Sequence, residues 1–204
     1  MIDIARQIAA IGRHVEVLAA GGETVSVTLT RRYDAERADV WNALTDPDRI
    51  SRWMMPISGD LRVGGTFSLE GNASGEILTC DDPDHLVITF GGPTSIVDLR
   101  LTTEGEHTLL SFDHSVPLAL AGGPAGALYV GPGWDGAVMA LGLYLDGEVA
   151  EDPVAAANSP EGQEFCARSV DAWVAVLEAS GTVDAATIAE AKQASLAQFA
   201  PDLV

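Results

Sequence analysis

Ile4, Ile8, Ile11, Val15 and Leu18 recur at intervals of three and four, one face of an amphipathic helix over residues 2–20 that Gly21 and Gly22 would stop. From Glu23 the period falls to two. Val25, Val27 and Leu29 alternate with Thr24, Ser26, Thr28 and Thr30, which predicts a half-buried strand. Asp34 is placed to cap a short helix presenting Val40, Trp41 and Leu44, and Asp46 before Pro47 opens a second one ending near Trp53. From Asp60 to Val116 short apolar runs are separated by Gly64-Gly65, Gly71-Asn72, Asp81-Asp82-Pro83-Asp84, Gly91-Gly92-Pro93 and Glu104-Gly105-Glu106. These gaps leave no room for crossover helices, so the runs predict an antiparallel meander. Its inner face collects Phe67 and Leu69; Leu86, Ile88 and Phe90; Val97, Leu99 and Leu101; and Leu110, Phe112 and His114.

Residues Gly133 to Glu148 predict a helix with almost no polar side, since Trp134, Ala137, Val138, Met139, Leu141, Leu143, Tyr144 and Leu145 point in every direction. Such a helix must be covered on several sides. The sheet supplies one cover; the N-terminal helix, the C-terminal segment or a second copy in a homodimer supplies the other. Ser159-Pro160 then starts a helix with the stripe Cys166, Val170, Trp173 and Leu177, ended by Gly181, and Asp184 to Phe199 predicts a last Ala-rich helix. The expected organisation is an N-terminal helical extension over residues 1–22, a β-rich domain over 23–150 and a C-terminal helical extension over 151–204 packed on that same domain.

Composition narrows the function classes. The 204 residues are 47% hydrophobic and 20% charged, ordinary globular usage. Thirty acidic against 11 basic residues give a net charge of -19, which repels phosphate backbones and anionic lipid; no nucleic-acid partner is expected. No apolar run reaches the roughly 18 residues of a membrane span, and the N-terminus lacks the pattern of a signal peptide, so no membrane insertion and a cytoplasmic location are expected. Cys80 and Cys166 lack CxxC spacing and are expected as buried, reduced thiols, with no metal site and no cofactor.

Candidate chemistry is sparse. Trp53, Met54 and Met55 before Pro56 could gate an apolar pocket or simply pack a core. His114 falls on the inner register of its strand, where it could orient a ligand's polar group or act as general acid or base, or serve as a satisfied structural histidine. Asp113 alternates to the other face. Glu76 is a second candidate only if buried, because Ile77 and Leu78 leave its register open. Gly131-Pro132-Gly133-Trp134-Asp135-Gly136 matches GxGxxG literally, but without βαβ units it reads as helix entry and packing. GxSxG, HExxH and Walker patterns are absent from the sequence.

The stretch Asp39-Val40-Trp41-Asn42-Ala43-Leu44-Thr45-Asp46-Pro47, then Arg52-Trp53, then Gly59-Asp60-Leu61-Arg62-Val63-Gly64-Gly65-Thr66-Phe67 resembles the SRPBCC (START-like) superfamily. It is most similar to the bacterial proteins related to the C-terminal domain of the activator of Hsp90 ATPase, AHSA1-like. Gly75-Glu76-Ile77, the turn from Asp81 to Leu86, Phe112-Asp113-His114 and Gly133-Trp134 continue the match in order. The resemblance implies an α+β helix-grip fold, an antiparallel sheet curved around a long C-terminal helix, with a cavity between them. It also implies apolar guests such as lipids or polyketides, and in some members cyclase or hydrolase chemistry. The first 22 residues do not resemble the separate N-terminal domain through which the eukaryotic activator engages Hsp90, so Hsp90 binding does not follow. The expected function is non-catalytic binding of an apolar or aromatic small molecule. Trp53, Met55, Phe67, Leu69, Phe90, Leu99, Phe112, His114, Trp134 and Val138 are expected to line the cavity. The alternatives are an enzyme using His114 or Glu76, and an interaction module.

Overall fold

A computed structural model describes residues 2–18 and 24–204. The chain runs α1 (Ile4–Ala9), β1 (Ile11–Leu18), β2 (Thr24–Tyr33), α2 (Arg37–Thr45) and α3 (Pro47–Ile50). Next come β3 (Ile57–Gly59), β4 (Thr66–Leu69), β5 (Ser74–Asp81), β6 (His85–Thr89), β7 (Ile96–Glu104) and β8 (His107–Pro117). The helices α4 (Leu118–Ala121), α5 (Ala127–Leu145), α6 (Pro153–Ala157), α7 (Pro160–Ser180) and α8 (Ala185–Phe199) follow. The strands form one sheet in the order β1-β2-β8-β7-β6-β5-β4-β3, so the expected meander from β3 to β8 is present, and the fold is the α+β helix-grip class. Pairing from β3 through β7 is antiparallel throughout.

Three expectations are corrected. The helix over 2–20 is a six-residue helix followed by strand β1, and the Gly21-Gly22 stop lies outside the described residues. A spacing of four keeps Ile11 and Val15 on one face in either conformation, and both are buried; the Arg13 side chain between them, 6% exposed in its ion pair with Asp135, shares that face as a strand places it. Asp34 does not cap α2, whose N-cap is Glu36 without a side-chain bond, whereas Asp46 accepts from the Asp48 and Arg49 N–H groups at α3 as expected. The long helix begins at Ala127, not Gly133, and carries Pro132 inside it.

That interior proline is accommodated by a specific partner. Pro132 has no N–H to give the Leu128 carbonyl four residues back, so this buried acceptor would be unsatisfied. The Ser195 hydroxyl of α8, itself buried, donates to it at 2.6 Å. Two of the three glycines of the GxGxxG match serve packing: a Cβ on Gly131 would lie 2.5 Å from the Trp173 ring, and one on Gly133 3.2 Å from Phe199, whereas one on Gly136 would meet nothing within 4 Å.

The chain divides into two compact units. The first comprises residues 1–29, 115–139 and 155–204. Its core includes Phe165, Val170, Trp173 and Leu177 of α7 with Leu128 and Ile188, so the α7 stripe is buried as expected except at half-buried Cys166. Ser159 caps α7 through the Gly162 N–H at 3.1 Å, Gly181 ends it in the left-handed conformation, and Asp184 caps α8. The second comprises residues 30–114 and 140–154. Val97, Leu99 and Leu101 of β7 and Leu110, Phe112 and His114 of β8 are buried in the alternation the sequence predicts.

Candidate functional site

The second unit collects most of the expected residues on one face of its sheet. Register places Ile57 beside Leu69, Phe67 opposite Gly75, Leu86 opposite Leu99 and Ile88 opposite Val97, and directly paired residues share a face. Phe67, Leu69 and Ile77 are the buried centre of a cluster against which Met54, Met55, Ile57, Leu86, Ile88 and Phe90 pack while remaining partly exposed. Gly75 shapes this face. It carries no side chain between β4 and β6, and a Cβ there would lie 2.9 Å from the Phe67 ring and 1.9 Å from the Thr89 carbonyl. Across that gap the Phe67 and Phe90 rings meet with centroids 6.5 Å apart.

The row of rings continues to His114, whose imidazole stands edge-on to Phe90 with centroids 6.0 Å apart. His114 is 4% exposed, and its Nε2 lies 2.8 Å from the Ser95 hydroxyl at the entry to β7. Burial pulls its pKa down to about 4, so the ring is neutral at physiological pH. Ser95 is a residue that sequence reasoning missed. It lies just beyond the Gly91-Gly92-Pro93 turn, where a hydroxyl carries no signal of its own.

The remaining candidates have other surroundings. Trp53 is 9% exposed, and its indole N–H donates to the Ala43 carbonyl of α2 at 3.0 Å, which ties the α3 exit to α2. Phe112 and Leu99 are buried in the same unit. Trp134 and Val138 belong to the first unit, Trp134 half-buried and Val138 buried. Glu76 is exposed and is corrected from acid or base candidate to surface residue: ordinary strand alternation about the buried Ile77 turns Glu76 and Leu78 both outward. Cys80 is exposed rather than buried and Cys166 is half-buried; both are free, and burial together with the Asp135 charge pushes the Cys166 thiol up to about 11.

A second polar cluster lies within the first unit. Asp135, fully buried on the otherwise apolar α5, accepts from Arg13 Nε at 2.7 Å and from the Ser169 hydroxyl. Burial raises its pKa against the lowering effects of Arg13 and Ser169. Arg13 Nη1 also donates to the Ile8 and Ile11 carbonyls at 3.0 and 2.9 Å. This pair joins β1, α5 and α7 and is a structural tie with a neutralised charge rather than a reactive group. One carboxylate in an all-apolar helix, and one arginine at an inward strand position, are the signals that could have matched them.

The comparisons with known proteins bear on the fold and the family. Residues 34–146 match the family model described as activator of Hsp90 ATPase homolog 1-like protein. None of the curated proteins matches the chain. The crystal structure of CalU16 from Micromonospora echinospora is 39% identical, covers 82% of this chain and 98% of its own, and superposes with a TM-score of 0.67. DynU16, from the dynemicin biosynthetic locus, is 26% identical over 63% of this chain and 48% of its own, with a TM-score of 0.54. The solution structure of the Aha1 dimer from Colwellia psychrerythraea is 17% identical over 60% of this chain and 97% of its own, with a TM-score of 0.50, and shows the fold alone. With a family model spanning more than half of its length and a 39% identical structure spanning most of it, this chain belongs to the activator of Hsp90 ATPase homolog 1-like family of the SRPBCC superfamily.

Proposed function

We propose that the protein binds an apolar or aromatic small molecule, lipid- or polyketide-like, without transforming it. The observation that carries this reading is the row Phe67, Phe90 and His114, beside which Phe90, Met54, Met55, Ile57, Leu86 and Ile88 stay partly exposed around the buried Phe67, Leu69 and Ile77. Apolar surface at that point gains by being covered, at roughly 25 cal/mol per Å². Thioether side chains reshape around guests of different outline. The kinship with a protein of the dynemicin biosynthetic locus supports a small molecule rather than a macromolecule as guest. Among the described residues no helix is long and apolar enough to cross a membrane.

The test is a fluorescence titration with N-phenyl-1-naphthylamine, an uncharged apolar dye. Saturable binding by the wild type, weakened about tenfold or more in a folded Phe90→Ala variant, supports the reading; a protein that takes up no dye contradicts it.

One observation favours an enzyme: Ser95 Oγ and His114 Nε2 stand 2.8 Å apart, the spacing of a nucleophile and its base. The basicity argues the other way, because an imidazole with a pKa of about 4 is a weak proton acceptor at neutral pH. Hydrolysis of p-nitrophenyl butyrate that disappears in Ser95→Ala would establish the enzymatic reading, and equal background rates in both proteins would remove it.

A further inference from the structure

We infer that the guest of this face is an uncharged fused-ring compound carrying a hydroxyl or carbonyl group, which docks its polar group at Ser95. This rests on the small-molecule reading above and specifies its chemistry. Three features of the face lead there.

The first is shape. The rings of Phe67 in β4, Phe90 just past β6 and His114 in β8 follow one another at 6.5 and 6.0 Å, with room for the Phe67 ring left by the missing side chain at Gly75. Phe90 is the ring of the row that stays partly exposed, Phe67 and His114 being buried, and a flat guest covers such a ring more fully than a flexible chain does. The second is polarity. Ser95 is the hydroxyl at the end of the row, and it has one donor and two acceptor positions. Its bond to the imidazole can run in either direction. With the hydroxyl donating to Nε2, its oxygen accepts from a guest hydroxyl; with Nε2–H donating to the oxygen, the hydroxyl proton points to a guest carbonyl. The pair thus accommodates both polar groups without a change of charge.

The third is electrostatics. The buried polar residues of the second unit among those described are Arg31, Thr89, Thr108 and His114. Arg31 lies 5.4 Å over the Tyr33 ring and against Gly142, engaged in its own packing. The Thr108 hydroxyl donates to the Ala35 carbonyl, and Thr89 Oγ1 accepts from the Glu76 N–H. The imidazole beside Ser95 stays neutral. A carboxylate or ammonium brought to Ser95 would lose its hydration for hydrogen bonds to neutral partners, which costs far more than a hydroxyl does.

The experiment compares four naphthalenes at pH 7 by displacement of N-phenyl-1-naphthylamine: 2-naphthol, 2-methylnaphthalene, 2-naphthoate and 2-(aminomethyl)naphthalene, the last two charged. The expected order is 2-naphthol tightest, about threefold to tenfold over 2-methylnaphthalene, with both charged compounds weaker by about a hundredfold or more. In Ser95→Ala the preference for 2-naphthol over 2-methylnaphthalene should fall to parity, while Ser95→Thr should keep it. Either charged compound binding within threefold of 2-naphthol overturns the inference, as does a preference unchanged in Ser95→Ala. The wild-type ranking decides the charge question even if a variant fails to fold. Failure of the dye itself to bind overturns the underlying small-molecule reading, and this inference with it; dye binding with the wrong ranking overturns only the inference.

Discussion

Replacing His114 by Gln should remove a specific part of the protein's acid sensitivity. The imidazole is buried and neutral, with a folded pKa near 4 against about 6.5 in the unfolded chain. A depressed histidine pKa means that the unfolded state binds the extra proton first, so stability is intact above pH 6.5 and declines as pH falls towards 4. Taking both values in the linkage relation, the loss between pH 7 and pH 5 is about 2 kcal/mol, and the full shift corresponds to about 3 kcal/mol. Urea unfolding of the wild type and His114→Gln at pH 7, 6 and 5 measures it directly. Carboxylates titrating at lower pH affect both proteins alike, so the difference between the two slopes isolates the imidazole. The variant should lose about 2 kcal/mol less than the wild type over that interval. Parallel pH profiles would refute the reasoning, because they would mean that His114 is solvated or charged in the folded protein.

Other positions give equally definite outcomes. Ser195→Ala should cost about 1–3 kcal/mol by leaving the Leu128 carbonyl unsatisfied, and clearly less in a Pro132→Ala background, where the substituted residue would supply the missing N–H; equal costs in both backgrounds by urea denaturation would break the link between the three residues. Asp135→Ala should destabilise by about 3–5 kcal/mol, read as a fall in thermal midpoint, since it leaves the Arg13 guanidinium buried without its counter-charge; a variant melting with the wild type would contradict the buried pair. Gly75→Ala should disturb the Phe67–Phe90 contact, because a methyl there collides with the Thr89 carbonyl and the Phe67 ring; unchanged aromatic proton shifts for both rings would argue against the close approach.

The sheet was legible because its signal is local. Alternation at Val97, Leu99, Leu101, Leu110, Phe112 and His114, with turn residues between the runs, determines both the strands and the buried face. The N-terminal segment was misread because Ile11 and Val15 satisfy a helical and an extended pattern equally, and the deciding residue, Arg13, is an arginine that is buried only because Asp135 waits for it far along the chain. The start of α5 was misplaced for a related reason. Pro132 reads as a helix breaker until Ser195, from the last helix, is seen to take over the carbonyl it strands. At the candidate site Phe67 and Phe90 were readable from alternation, and Met54 and Met55 from their place between a short helix and Pro56. Ser95 was not, since it becomes significant only through the fold that brings β7 beside β8 and sets its hydroxyl against His114.

Whether a guest settles on the face formed by Met54, Met55, Phe67 and Phe90 is read most directly by methyl NMR on methionine-labelled protein. Met54 and Met55 flank the face and Met139 is buried in the other unit, so one spectrum contains both the reporters and their control. Addition of 2-naphthol should shift the Met54 and Met55 methyl resonances saturably while leaving Met139 in place. Saturation without movement of Met54 and Met55, or no saturable shift at all, would contradict the proposed binding face.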